Sequence, residues 1–262
     1  MRKTTIALVL TVSLAAGGLF AQKPFVLTAT GKKRTYDKIT SDASGTLTVT
    51  AGKISQKIKT SAYKYAWVPL QQAPEVSNMY RAYKARKYTD VVVAFNPAYK
   101  KYRHLGWECF SILMVAKALN NLGKTPAAIS KLELIKGKPD NPTESKYYFQ
   151  AKRLLAELYV KNANLDKAKN ALKDLSQSKD DAIVAFANNI RGDIYLKEGK
   201  TKDAIIEYAK TALLFEKTNK KERPEALRKI VQLLRQEKNN KAKNFEKILR
   251  QEYPGSKYLE GL

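Results

Sequence analysis

Along this chain the apolar positions change their period once. Up to Pro69 they alternate with polar ones, and from Val76 onward they recur every three to four residues. The alternating part holds a β-rich run at residues 25–30 that ends at Gly31, a second run at 35–40, a turn cluster at 41–45 leading into 46–50, and an Ala51-Gly52 turn into 53–60. This pattern predicts a four-strand antiparallel meander in a small β module, residues 22–69, with Ile54 and Ile58 pointing the same way. So small a module buries little apolar surface alone, and it should lean on the helices that follow through Tyr63, Tyr65 and Trp67. Residues 70–76 read as a linker bounded by Pro69 and containing Pro74, and residues 76–262 as helical.

The helical part repeats itself. Residues 192–213, GDIYLKEGKTKDAIIEYAKTAL, read as two short amphipathic helices around a polar turn, with Gly192 and Ala204 twelve residues apart. The same spacing joins Ala156 to Ala168 and Ala116 to Ala128, and more loosely Met79 to Val91, so the first members lie 37, 40 and 36 residues apart. Large residues follow each pair at fixed offsets: Leu119 and Leu132, Tyr159 and Leu172, Tyr195 and Tyr208, with Tyr88 and Phe95 in the earliest copy. Small residues let two helices cross closely while large ones fill the groove between them. Gly123 and Gly199 fall in the turns, Pro126 at a helix start, and Pro139, Pro142 and Pro224 between hairpins. A fifth hairpin, 224–236 with 240–252, stays amphipathic but lacks the small pair, as a terminal cap would.

At these residues the chain resembles the tetratricopeptide repeat (TPR) family, over roughly 76–252. The resemblance implies a mainly α fold, a TPR-like α-solenoid of four to five helical hairpins with a concave inner face, preceded by the antiparallel β module. The chain departs from the family in lacking its tryptophan and in carrying Thr211 where alanine is common, with Ala212 one step late. The ending Tyr253-Pro-Gly-Ser256 is similar to junctions in TPR proteins of the bacterial envelope, and the layout is similar to that of exported bacterial TPR proteins.

Residues 1–21 fit that likeness. Arg2 and Lys3 precede an uncharged apolar run, 6–16, and small residues lead to Ala21, the layout of a secretory signal peptide cleaved after Ala21. No second apolar run reaches spanning length, so an exported mature chain without a transmembrane segment is expected, periplasmic or associated with the cell envelope. The single cysteine, Cys109, permits no internal disulfide and reads as a buried packing thiol. Without residues 1–21 there are 47 basic and 24 acidic residues, and 22–106 alone hold 16 basic against 4 acidic. This asymmetry should attract anions to the N-terminal third.

Motifs for chemistry are missing. The lone histidine, His104, has no partner histidine or cysteine cluster for a metal, and Ser61-Ala-Tyr-Lys64 and Ser176-Gln-Ser-Lys179 lack the Lys-Thr-Gly that penicillin-recognising enzymes add. Gly123-Lys-Thr125 and Gly199-Lys-Thr201 end like phosphate loops, but the required glycine is Ala118 in one and Ile194 in the other. The expectation is therefore no enzyme, no cofactor and no metal.

What remains is surface. The family's groove positions, carried onto this chain, are Tyr80 and Tyr83, Leu113, Lys117 and Asn120, Arg153, Glu157 and Val160, and Asn189, Asp193 and Leu196. Their mixture suits an extended peptide carrying a few acidic groups, and implies an envelope scaffold or adaptor that binds a protein or peptide partner. A second zone joins Lys32, Lys33 and Arg34 with Arg81, Lys84, Arg86, Lys87, Lys100, Lys101 and Arg103, interleaved with tyrosines. It supports an alternative, a cell-wall or anionic-surface binding module whose ligand is an anionic lipid or wall polymer. Basic and aromatic residues together also suit nucleic acid, which export argues against.

Overall fold

The computed structural model describes residues 22–215 and 221–262. The expected signal peptide lies outside the described residues. Strands β1 (Phe25–Thr28), β2 (Lys33–Thr35), β3 (Lys38–Ser41), β4 (Leu47–Ala51), β5 (Ile54–Ile58) and β6 (Tyr63–Trp67) open the chain. They do not make one four-strand meander. They form two three-stranded antiparallel sheets, ordered β2-β1-β6 and β3-β4-β5. The run at 35–40 breaks at Tyr36-Asp37, where the Tyr36 amide donates to the Pro24 carbonyl and the Asp37 amide to that of Thr50. The residues expected only to touch the helices, Tyr63, Tyr65 and Trp67, are themselves a strand paired with β1. Val26 and Ala66 of one sheet and Ile39, Leu47 and Val49 of the other enter a single core. Ile54, in contrast, is exposed.

Five helical hairpins follow among the described residues. They are α1 (Pro74–Lys84) with α2 (Tyr88–Tyr102), α3 (Glu108–Asn121) with α4 (Thr125–Leu132), and α5 (Pro142–Lys161) with α6 (Leu165–Ala171) and its short continuation α7 (Lys173–Ser176). Then come α8 (Asp181–Lys197) with α9 (Thr201–Leu214), and α10 (Glu222–Gln236) with α11 (Ala242–Glu252). Every small-pair residue, from Met79 and Val91 to Ala204, is buried. The tightest crossing is at Gly192, where a Cβ would sit 2.4 Å from the Tyr208 ring. Thr211 is accommodated by a polar contact: fully buried, it donates its hydroxyl to the Ala185 carbonyl at 3.0 Å.

All five hairpins turn the same way. One residue in each turn has positive φ: Arg86 at 59°, Gly123 at 75°, Ala163 at 57°, Gly199 at 75° and Lys238 at 54°. The amide after it reaches back to the helix, Lys87 to Ala82, Lys124 to Leu119, Asn164 to Tyr159, Lys200 to Tyr195 and Asn239 to Leu234, at 2.8–3.0 Å. This is the Schellman closure, which satisfies the last carbonyls of the first helix and reverses the chain in three residues. In the fifth hairpin the register places buried Val231 and exposed Lys243 at the crossing positions, so the small pair is absent there while the turn is kept.

The β module is joined to the helices at a kink, Arg103–Trp107, between α2 and α3, where Leu105 and Gly106 leave helical geometry. Gly106 has φ 84° there, and a Cβ on it would come within 2.7 Å of the Trp67 ring. The Val68 amide donates to the Leu105 carbonyl and Trp107 Nε1 to the Val68 carbonyl, while an Arg103 nitrogen reaches the Ala43 carbonyl. The core runs without a break from Val26 to Ile194, so the module is packed as part of the solenoid.

The turns and crossings should respond oppositely to glycine–alanine exchange. Ala163→Gly relieves a left-handed alanine and should stabilise by about 0.5–1 kcal/mol, while Gly199→Ala should cost about 1 kcal/mol. Gly192→Ala forces a methyl into the Tyr208 ring and should cost about 1–3 kcal/mol. Urea unfolding of the three variants reads this directly, and a loss of stability in Ala163→Gly would contradict it.

Candidate functional site

The first helices of the hairpins, α1, α3, α5, α8 and α10, stand side by side and carry the positions that line a concave face. On α1, Tyr80 is partly exposed and packs its ring on Phe110 at 5.9 Å, and Tyr83 is half-buried against Tyr88, also at 5.9 Å. On α3, Leu113 is fully buried, Lys117 is half-buried and Asn120 accepts from the Thr125 hydroxyl at 3.3 Å. On α5, Arg153 is half-buried, Glu157 is exposed and Val160 is buried. Lys117 and Glu157 behave as floor residues of a concavity do. Surrounding protein pulls the Lys117 ammonium down, opposed by Glu157, and pushes the Glu157 carboxyl up although its own surface is open to solvent, opposed by Lys221 and Arg153.

Further along, the expected groove residues hold the stack together. An Arg153 nitrogen lies 2.6 Å from Glu222 Oε1 and its guanidinium 4.1 Å over the Phe186 ring, so α5 is tied to α10 and α8. Asn189 is buried and donates to the Glu222 carbonyl at 2.8 Å. Asp193 accepts from the Tyr208 hydroxyl and from Lys229 Nζ, each at 2.6 Å. Thus Tyr80, Lys117, Asn120 and Glu157 face outward over the first three repeats, whereas Arg153, Asn189 and Asp193 join one repeat to the next. Residue type alone does not distinguish the two roles, because the inter-repeat partners come from α10, more than 30 residues away for Asn189 and Asp193.

A cleft of about 950 Å³ opens beside this face between the first half of α5, the loop at 133–141 and the α7–α8 connection. Half-buried Phe149 and Ile183 are among its lining residues, and Lys136, Lys138, Lys146 and Lys179 bring exposed positive charge to it. Lys138 Nζ stands 5.2 Å over the Phe149 ring. Both carboxylates of the cleft are engaged: Asp174 accepts from the Tyr148 hydroxyl, and Asp180 caps α8 by accepting from the Ala182 amide at 2.9 Å. The groove positions defined by the repeat reach this cleft only at Arg153. No motif in the sequence marks it; the structure shows α5 at 20 residues against 14 for α3.

The residues of the basic zone sit on three elements. Arg81, Lys84, Arg86 and Lys87 lie at the α1–α2 tip, and Lys100, Lys101 and Arg103 lie at the far end of α2, about 20 Å along its 15 residues. Lys32, Lys33 and Arg34 belong to the β1–β2 hairpin, with Lys33 over the Phe25 ring. One of these charges is paired locally, Lys101 with Glu75 at 2.7 Å, and Arg81 donates to the neutral Asn78 amide.

A second, smaller cleft, about 300 Å³, lies at the joint with the β module and includes His104, Gly106, Glu108, Asn141 and Glu144. His104 Nε2 accepts from Arg103 Nε at 3.0 Å. Glu144 reaches from α5 to the open N-terminus of α3 and accepts from the Cys109 amide at 2.7 Å, serving as its cap. Burial pushes its carboxyl up to about 7, and burial together with Glu144 pushes the Cys109 thiol up, away from reactivity. Among the described residues no cluster of His, Cys, Asp and Glu has the makings of a metal site, and no helix is long and apolar enough to cross a membrane.

The repeated crossing and turn geometry finds its counterpart in known proteins. The profile of the tetratricopeptide repeat-like domain matches residues 42–233. The chain belongs to the tetratricopeptide repeat-like family. The match begins inside the β module. Among solved structures it is similar to the MamA protein, at 15% identity and a TM-score of 0.50, over 68% of this chain and 90% of that one. A Podosopora anserina protein of nearly identical TPR-like repeats, described as a kinesin light chain, aligns at 14% identity and TM-score 0.49, over 71% and 96% of the two chains. No curated protein matches. The likeness to solved structures extends to the fold: a TPR-like solenoid, of the kind that generally mediates protein–protein contacts and is generally non-catalytic.

The Glu144 cap gives the fold a pH signature. A carboxyl raised in the folded chain stabilises it fully below its unfolded pKa of about 4.5 and loses that contribution as pH rises towards 7. The stability of the wild type minus that of Glu144→Gln should therefore fall by roughly 2–3 kcal/mol between pH 4.5 and 8. Urea titrations across that range check it, and a pH-independent difference would contradict it.

Proposed function

We propose that this protein is a non-catalytic scaffold or adaptor of the bacterial cell envelope that holds a partner protein on the concave face of its repeats. Family membership supports a protein partner. The observation that carries the reading is the split on the concave face itself. Tyr80, Lys117, Asn120 and Glu157 present aromatic, cationic, amide and anionic groups outward over the first three repeats, while Arg153, Asn189 and Asp193 hold the later repeats in place behind them. Half-buried Lys117 and exposed Glu157 offer a cation and an anion to a bound segment on adjacent first helices.

Export and an envelope location rest on the pattern of residues 1–21 and on the likeness of the Tyr253-Pro-Gly-Ser256 ending to envelope TPR proteins. The alternative reading, an anionic-surface module, would draw on basic residues placed at opposite ends of α2 and on the β1–β2 hairpin. For that reason the groove reading is preferred.

The test is capture from detergent-solubilised envelopes by the tagged mature chain, followed by comparison with Tyr80→Ala/Asn120→Ala and Lys117→Ala/Glu157→Ala variants. A defined partner whose recovery drops at least tenfold in both variants is the expected result. Recovery unchanged by either pair would contradict the concave-face assignment.

A further inference from the structure

The cleft beside α5 is not used by the repeat's own groove positions, apart from Arg153, and its composition is specific. The first half of α5, which begins at Pro142, lines one side of the space, and the loop at 133–141 and the α7–α8 connection line the others. Half-buried Phe149 and Ile183 offer apolar surface in a cleft of about 950 Å³. Four lysines, Lys136, Lys138, Lys146 and Lys179, line the same cleft, and all four are exposed. Two carboxylates, Asp174 and Asp180, also line it and keep their charge while accepting from the Tyr148 hydroxyl and the Ala182 amide, so the four lysines outnumber them and leave the cleft net positive. A ligand that fits must be anionic along its length, to meet the lysines, and must carry an apolar group, to cover Phe149 and Ile183.

Resting on the scaffold reading above, we propose that the cleft between α5 and the α7–α8 connection seats an extended acidic peptide segment of the partner, anchored by one aromatic or large aliphatic side chain against Phe149 and Ile183. A uniform polyanion satisfies the lysines and leaves the apolar surface wet. An uncharged apolar segment leaves the lysines without counter-charge. The acidic segment with an anchor satisfies both, and Lys138, already over the Phe149 ring, stands where charge and anchor meet.

The probe is a fluorescein-labelled nonapeptide of Glu and Asp with one central Phe, compared with the same peptide carrying Ser in place of Phe, by fluorescence polarisation on the full mature chain. Binding at least tenfold tighter with Phe is expected. In Lys138→Glu/Lys146→Glu it should weaken at least tenfold, whereas Lys84→Glu/Lys87→Glu, an equal change of charge at the α1–α2 tip, should leave it within twofold. Thermal melts of both variants serve as the folding control, all four lysines replaced being exposed. Equal binding of the Phe and Ser peptides would overturn the anchor, and equal loss in both double variants would reduce the effect to overall charge and overturn the site. If the peptide fails while envelope capture still depends on Lys117 and Glu157, the cleft assignment falls and the scaffold reading stands. If capture fails while the peptide binds as expected, the scaffold reading falls and the cleft stands.

Discussion

The structure depends on how closely the two helices of each hairpin approach. At Gly192 the α8 backbone lies against the Tyr208 ring with no room for a single methyl, and Ala116, Ala156 and their partners in the second helices occupy the equivalent contacts fully buried. Such crossings orient each hairpin, and the left-handed residue seven positions on returns the chain at the same angle each time. Three of those five positions carry Arg86, Ala163 and Lys238, so the turn geometry is kept even where glycine does not favour it. Repetition of one local geometry is what places successive first helices side by side and makes a concave face.

The β module uses a different device. The kink at Arg103–Trp107 interrupts the repeat at its first junction and exposes backbone groups that β6 and its extension satisfy through Val68, while Gly106 admits the Trp67 ring. Glu144 then closes the free end of α3 from the next repeat. Module, first hairpin and third hairpin thus meet in one polar joint around a continuous core. Through Glu144 this joint holds the start of α5 against α3, and the first half of α5 lines the lysine-lined cleft.

Much of the solenoid was legible in the sequence, because its determinants are local: a twelve-residue small pair, a turn and two large fillers recur at nearly constant spacing. The sheets were legible only in part. Antiparallel closure of β1 with β6 joins residues about 40 apart, and alternation alone does not say which strands pair, so Tyr63–Trp67 passed for a contact segment. The groove positions were legible as positions but not as roles. Whether Asn189 faces a ligand or Glu222 is decided by the packing of α10, and the cleft around Phe149 arises from helix length and two connections that no repeat rule describes.

As proposed above, the cleft beside α5, next to the concave face, seats an acidic segment of a partner. Hydrogen–deuterium exchange of the mature chain with and without the acidic, Phe-containing peptide tests it most directly. The account predicts added protection confined to the loop at 133–141, the first half of α5 and the start of α8. Protection centred instead on the α1–α2 tip or the β1–β2 hairpin would contradict it.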